Sequence, residues 1–167
     1  MEYKPGKVER TKAQLGEAVI SLLAEMPPEQ VTADAIAERA GMGRATWFRH
    51  FSSKSDAVTC ALVARWVRWA SSENPAAKSD ASMFPFLRLI HEQRETITLL
   101  YARGMRQAVL DSSARIAETI RGEGQSSYRE KFFLYGYVGV LDEWVERGFA
   151  ETPEEVAAVL GGLVAPR

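Results

Sequence analysis

Apolar residues recur along the chain every three or four positions, and the alternation typical of strands is almost absent, so the pattern predicts an all-α fold. The first helix is predicted from about Thr11 to Glu25, with Leu15, Val19, Leu22, Leu23 and Met26 on one face. Thr11 followed by Gln14 reads as its capping box, and Pro27-Pro28 ends it. Thr32 reads as the N-cap of a short helix over 33–40 that turns Ile36 and Ala37 inward and stops at Gly41. A third helix follows from Gly43 to about His50, and Ser53 caps a fourth with Asp56 at its third position.

That fourth helix sets Val58, Leu62, Trp66 and Trp69 on one stripe and runs to about Ser72, before Asn74-Pro75 breaks it. It is long enough to join two subdomains. A loop is predicted over 76–82, then helices over about 83–94, 95–102, 105–121 and 127–147, with Gly104 and Gly122-Glu123-Gly124 as breaks. The last helix opens on Thr152-Pro153-Glu154-Glu155, a cap, a proline at the first position and an acid at the third. Val156, Ala157, Val159, Leu160 and Leu163 follow as its apolar positions.

With 167 residues, 46% apolar and 26% charged, the chain has the balance of a soluble globular protein, either one unit or two subdomains sharing a helix. No apolar run approaches bilayer length, and Met1-Glu2-Tyr3-Lys4-Pro5 lacks the apolar stretch of a signal peptide, so the cytoplasm is the expected compartment and no membrane partner is expected. One cysteine, Cys60, and two histidines are too few for an internal disulfide or a structural zinc, and Cys60 reads as a small buried hydrophobe. No metal or cofactor is called for. Nothing points to an enzyme either. Asp142 and Glu143 are adjacent on a helix and diverge, Gly122-x-Gly124 lacks the rest of a phosphate loop, and no serine or histidine sits in an elbow motif.

The net charge of −1 gives no hint of nucleic acid, but its distribution does. From Arg39 to Lys54 the charged side chains are Arg39, Arg44, Arg49 and Lys54, with His50 inside the run and no acid between them. Lys4, Lys7, Arg10 and Lys12 face only Glu2 and Glu9 in the tail. Over 31–56, a short helix, the Gly41-Met42 turn and a second short helix have helix-turn-helix spacing, which lays the second helix in a major groove. Arg44 and Thr46 fall in its first turn, where arginine bonds guanine O6 and N7 and threonine meets a thymine methyl or a phosphate. Lys54 and Thr32 open helices whose amides favour phosphate. A solvated basic face is the competing reading of the charges alone. Spacing and turn together favour DNA.

Val31-Thr32, Ile36-Ala37-Glu38-Arg39-Ala40-Gly41 and Thr46-Trp47-Phe48-Arg49-His50-Phe51-Ser52-Ser53-Lys54 closely resemble the TetR/AcrR-family signature, over about residues 10–58. The resemblance implies a DNA-binding head over 1–57, with a three-helix unit holding the helix-turn-helix. A long fourth helix would join it to a regulatory and dimerisation body over 58–167. It further implies a homodimer on an inverted-repeat operator, acting as a repressor released by a small-molecule effector. Carried over position by position, it gives base contacts to Arg44, Ala45, Thr46 and Trp47 and backbone contacts to Thr32, Phe48, His50 and Lys54. Phe48 stands where many relatives have a tyrosine whose hydroxyl reaches phosphate, and Gly43 where a serine or threonine often caps the recognition helix. Trp47 and Phe51 also suit packing inside the head.

In the body the pattern from Tyr135 to Gly148, followed by the capped last helix, also looks like the family. Gly136 and Gly139 would let a partner helix approach, with Val140, Trp144, Val156 and Leu160 supplying apolar area for a symmetric four-helix dimer interface. The alternative is that these residues close the protomer's own core. Trp66, Trp69, Phe86, His91, Tyr101, Phe132 and Tyr135, with Tyr137, are the candidate lining of an effector pocket, and the same set would equally build a filled core. An effector would reset the long fourth helix so that the two heads miss successive major grooves ~34–36 Å apart. The rival function is a helical ligand-sensing or protein-interaction dimer that no longer reads DNA.

Overall fold

A computed structural model describes residues 6–71, 84–121 and 128–164, and every regular element among them is helical. The order is α1 Lys7–Glu25, a 3-10 turn Pro28–Gln30, α2 Ala33–Arg39, α3 Arg44–His50 and α4 Lys54–Ser71. There follow α5 Phe84–Glu92, α6 Arg94–Ala102, α7 Arg106–Arg121, α8 Tyr128–Glu146 and α9 Pro153–Val164. The expected loop over 76–82 and the Gly122-Glu123-Gly124 break lie outside the described residues.

The helices of 33–40, 43–50 and 152 onward form where their caps place them. Thr32 Oγ1 accepts from the Ala35 amide at 3.2 Å, and Ser53 Oγ accepts from the Asp56 amide at 3.0 Å. Thr152 and Glu155 close the reciprocal box at the start of α9, at 2.8 and 3.2 Å. The backbone bond from Thr152 holds the Glu155 carboxyl below its usual range.

The start of α1 is a correction. The helix begins at Lys7, and the box expected of Thr11 and Gln14 does not form. Glu9 caps instead, accepting from the Gly6 amide at 2.5 Å. Thr11 turns its hydroxyl back to Lys7 O within the helix, at 3.0 Å, a bond open to any threonine one turn in. Gln14 reaches out of the helix and donates to Ala40 O at 2.9 Å, tying α1 to the end of α2.

Two contacts make α4 common to both halves. A Cβ at Gly16 would lie 2.2 Å from Ala57 O and 2.8 Å from the Ala61 Cβ, so only glycine permits the close crossing of α1 over α4. Further along, Thr59 is buried and its hydroxyl donates to Ala108 O in α7 at 3.2 Å. Leu15, Val19 and Leu23 of α1 with Ile36 and Val58 fill the head, and Leu87, Leu100 and Trp144 fill the body. Arg65 and Gln93 link α4 to the junction of α5 and α6 at 3.0 Å.

Candidate nucleic-acid interface

The turn between α2 and α3 rests on Gly41, whose φ of +65° is the left-handed region that glycine enters without penalty. Gly43 caps α3 without a side-chain bond, its carbonyl accepting from the Thr46 amide at 2.8 Å, so the Arg44 and Ala45 amides have no partner among the described residues. Trp47 is buried and packs against Phe51 with ring centroids 5.4 Å apart. These two aromatics hold α3 on the head, so the expected base contact from Trp47 is replaced by packing. Its spacing from Phe51, one helical turn, puts both on the inner face.

The outer face of α3 carries Arg44, Ala45, Phe48 and Arg49, all exposed, with Thr46 and His50 half-buried at its flanks. Phe48 is 59% exposed and the Arg44 guanidinium stands 5.4 Å from its ring centroid. Arg44 also meets Asp34 of α2 at 3.3 Å, an exposed pair of little strength that leaves the side chain available. Arg49 was not among the residues carried over. Its place four residues after Ala45, on one helix face, is the sequence signal that could have found it.

The run of positive charge is smaller in space than along the chain. Arg39 makes a two-pronged pair with Glu25 at 2.7 and 2.6 Å and also donates to Ser21 at 2.5 Å. The Arg39 bond holds the Glu25 carboxyl below its usual range. Lys54 is half-buried and its Nζ donates to Pro28 O, and to Val31 O at 3.2 Å. It therefore braces the segment before Thr32 instead of standing free over a phosphate. Thr32 itself is exposed at the start of α2.

In the body, Leu62, Trp66, Phe86, Gln93, Tyr101, Ser112 and Ser113 are among the residues around a cavity of about 30 Å³. Of the expected pocket residues, Trp66, Phe86 and Tyr101 line it. Trp69 lies behind, stacked on Trp66 at 5.3 Å, and Phe86 meets Trp66 edge-on at 5.2 Å. His91 is elsewhere, stacked on Trp144 at 5.9 Å. Phe132 and Tyr135 are corrections: they are 74% and 66% exposed and take no part in the cavity. Tyr137 is buried beside Phe86, its hydroxyl without a hydrogen-bond partner among the described residues, and burial raises its pKa. Gln93, Ser112 and Ser113 are not among the expected residues, although the two serines fall at the spacing of the apolar face set by Ala108, Val109, Ile116 and Ala117.

Phe132, Tyr135, Gly136 and Gly139 instead form one exposed stripe along α8, at the three- and four-residue spacing of a helix face. Open space lies above both glycines. Val159 and Leu163 expose a similar apolar face on α9, at 53% and 67%, and Val140 and Leu160 are half-buried. Trp144 and Val156, expected on a dimer face, are in the protomer's own core. Trp144 is held there by Nε1 donating to Glu151 O at 3.0 Å and by edge contact with Phe149 at 5.1 Å.

Residues 16–58 match the family model described as bacterial regulatory proteins, tetR family. Residues 89–165 match a second, described as transcriptional regulator C-terminal region. A crystal structure of a TetR transcriptional regulator from Rhodococcus sp. RHA1 aligns with 93% of this chain and 97% of that one, with a TM-score of 0.57 and 15% identity, a likeness of fold. No curated protein matches. The first family match contains the whole helix-turn-helix and the second most of the body, so the chain belongs to the TetR family and is a DNA-binding transcriptional regulator.

Proposed function

We propose that the chain is a homodimeric, cytoplasmic repressor that reads an inverted repeat and is released by a small, uncharged, mainly apolar effector. Residues 1–57 are the reading head and 58–167 the regulatory and dimerisation body. The observation that carries the reading is the outer face of α3, where Arg44, Ala45, Phe48 and Arg49 stand exposed at a helix start that no side chain caps. Arg44, Ala45 and Thr46 address bases, with Arg49 added to them. Thr32, Phe48 and His50 meet the backbone, Phe48 by apolar contact alone.

Dimerisation is supported by two exposed apolar features, the stripe of Phe132, Tyr135, Gly136 and Gly139 on α8 and the face of Val159 and Leu163 on α9. The effector class is supported by the cavity wall, which has no charged side chain among the described residues. Binding rather than turnover is its role, as expected of a family of transcription regulators. The test is a promoter reporter carrying duplexes selected by the purified protein. Co-expression should lower its output, and raised output would make the chain an activator. An effector of the stated class should restore output, and relief only by charged compounds would contradict the cavity reading.

A further inference from the structure

Gln93 sits at the bend between α5 and α6 and faces two ways. It lines the cavity, and its Oε1 accepts from Arg65 Nη1 at 3.0 Å. Arg65 then holds Glu17 of α1 with both prongs, Nε to Oε1 at 2.9 Å and Nη2 to Oε2 at 2.6 Å. Such a fork fixes orientation as well as distance. Arg68 adds a bond to the same carboxylate at 3.2 Å. Glu17 follows Gly16, the residue on which α1 crosses α4. An unbroken chain of bonds therefore runs from the cavity wall, across α4, to the first helix of the DNA-binding head.

We propose that Gln93 and Arg65 couple the cavity to the setting of the head, Gln93 acting as the group that senses the effector. This rests on the reading of the chain as an effector-released regulator. A guanidinium only donates, so Arg65 requires the amide oxygen and leaves the two N–H groups of Nε2, which have no partner among the described residues. The other polar groups of the wall have used their donors: Ser112 and Ser113 bond Val109 O, and Tyr101 bonds Asp142. A ligand bearing an oxygen or nitrogen acceptor is thus met by Gln93. If its amide turns to the ligand, Arg65 loses its hold on the body.

The size of the cavity adds a second pull on the same helix. About 30 Å³ holds no more than about one or two waters, so a larger molecule must displace wall side chains. Trp66 is one of them, and it is next to Arg65 in α4.

The experiment measures the head-to-body distance within one chain, with spin labels at Glu38→Cys and Thr98→Cys, both exposed, in a Cys60→Ser full-length background diluted into unlabelled protein. The parent should give one narrow distance. Gln93→Leu, which removes the acceptor, should broaden it as Arg65→Met does. Gln93→Glu, which keeps an acceptor for Arg65, should restore the narrow distribution. On a selected duplex, Gln93→Leu should change affinity by roughly threefold or more and Gln93→Glu should not. A distribution for Gln93→Leu as narrow as the parent's, or one for Gln93→Glu as broad as that of Gln93→Leu, overturns the coupling. The distances decide this without DNA, so failure of the parent to bind any duplex would count against the DNA reading alone.

Discussion

Between Arg39 and Lys54 four basic side chains follow one another, yet Arg39 is bound to Glu25 and Lys54 to backbone carbonyls. Charge along the sequence therefore overstated charge in space, because both partners come from elsewhere in the chain, Glu25 in α1 and the carbonyls before Thr32. What the sequence did reveal was the helix that presents Arg44, since turn spacing is local. Arg44→Ala should weaken binding to a selected duplex by about 10- to 100-fold and flatten the preference at one base pair, measured by anisotropy on single-base variants. Phe48 is exposed and in position, lacking only the hydroxyl. Phe48→Tyr should tighten binding by about three- to tenfold, the worth of one hydrogen bond, on all sequences alike. A gain confined to one sequence would mean that position 48 reads a base.

At the scale of elements, helix boundaries were legible wherever a cap was a local pattern, as at Thr32, Ser53 and Thr152. The start of α1 was not, because Thr11 satisfies its hydroxyl equally well inside a helix, and the group that caps is Glu9 on a glycine amide. The crossing at Gly16 left no signal at all, since closeness to Ala57 arises only when α1 meets α4. Gly16→Ala should cost about 1–3 kcal/mol or more by overpacking against backbone, seen as a lowered thermal midpoint. Its neighbour Glu17 gives a pH test. Burial would raise its carboxyl, but the bonds and charges of Arg65 and Arg68 prevail and leave it below the usual range. A depressed folded value contributes stability that is present above the ordinary glutamate value and lost as pH falls through the folded one. Glu17→Gln should therefore reduce the loss of stability as pH falls below the ordinary glutamate range in thermal melts, with an unchanged slope contradicting the assignment.

For the molecule as a whole, the all-helical plan of head, connecting helix and body could be read from periodicity and the family signature. The division of aromatics between cavity and surface could not, because helix spacing groups side chains on a face without saying what covers it. Phe132 and Tyr135 fell on an open stripe, while Trp144 turned into the core. That stripe makes a prediction of its own. Phe132→Asp combined with Leu163→Asp should give a monomer in analytical ultracentrifugation, with the fold retained by circular dichroism. A persistent dimer would place the interface on another face.

The central claim is that α3 reads sequence as part of a symmetric pair. The most direct measurement is selection of bound sequences from a random duplex library by the purified protein, with Arg44→Ala alongside. The account predicts an enriched inverted repeat that the variant loses, and affinity that falls with salt at a log–log slope of about −0.9 per phosphate contact. An unenriched library with weak, salt-insensitive binding would contradict it.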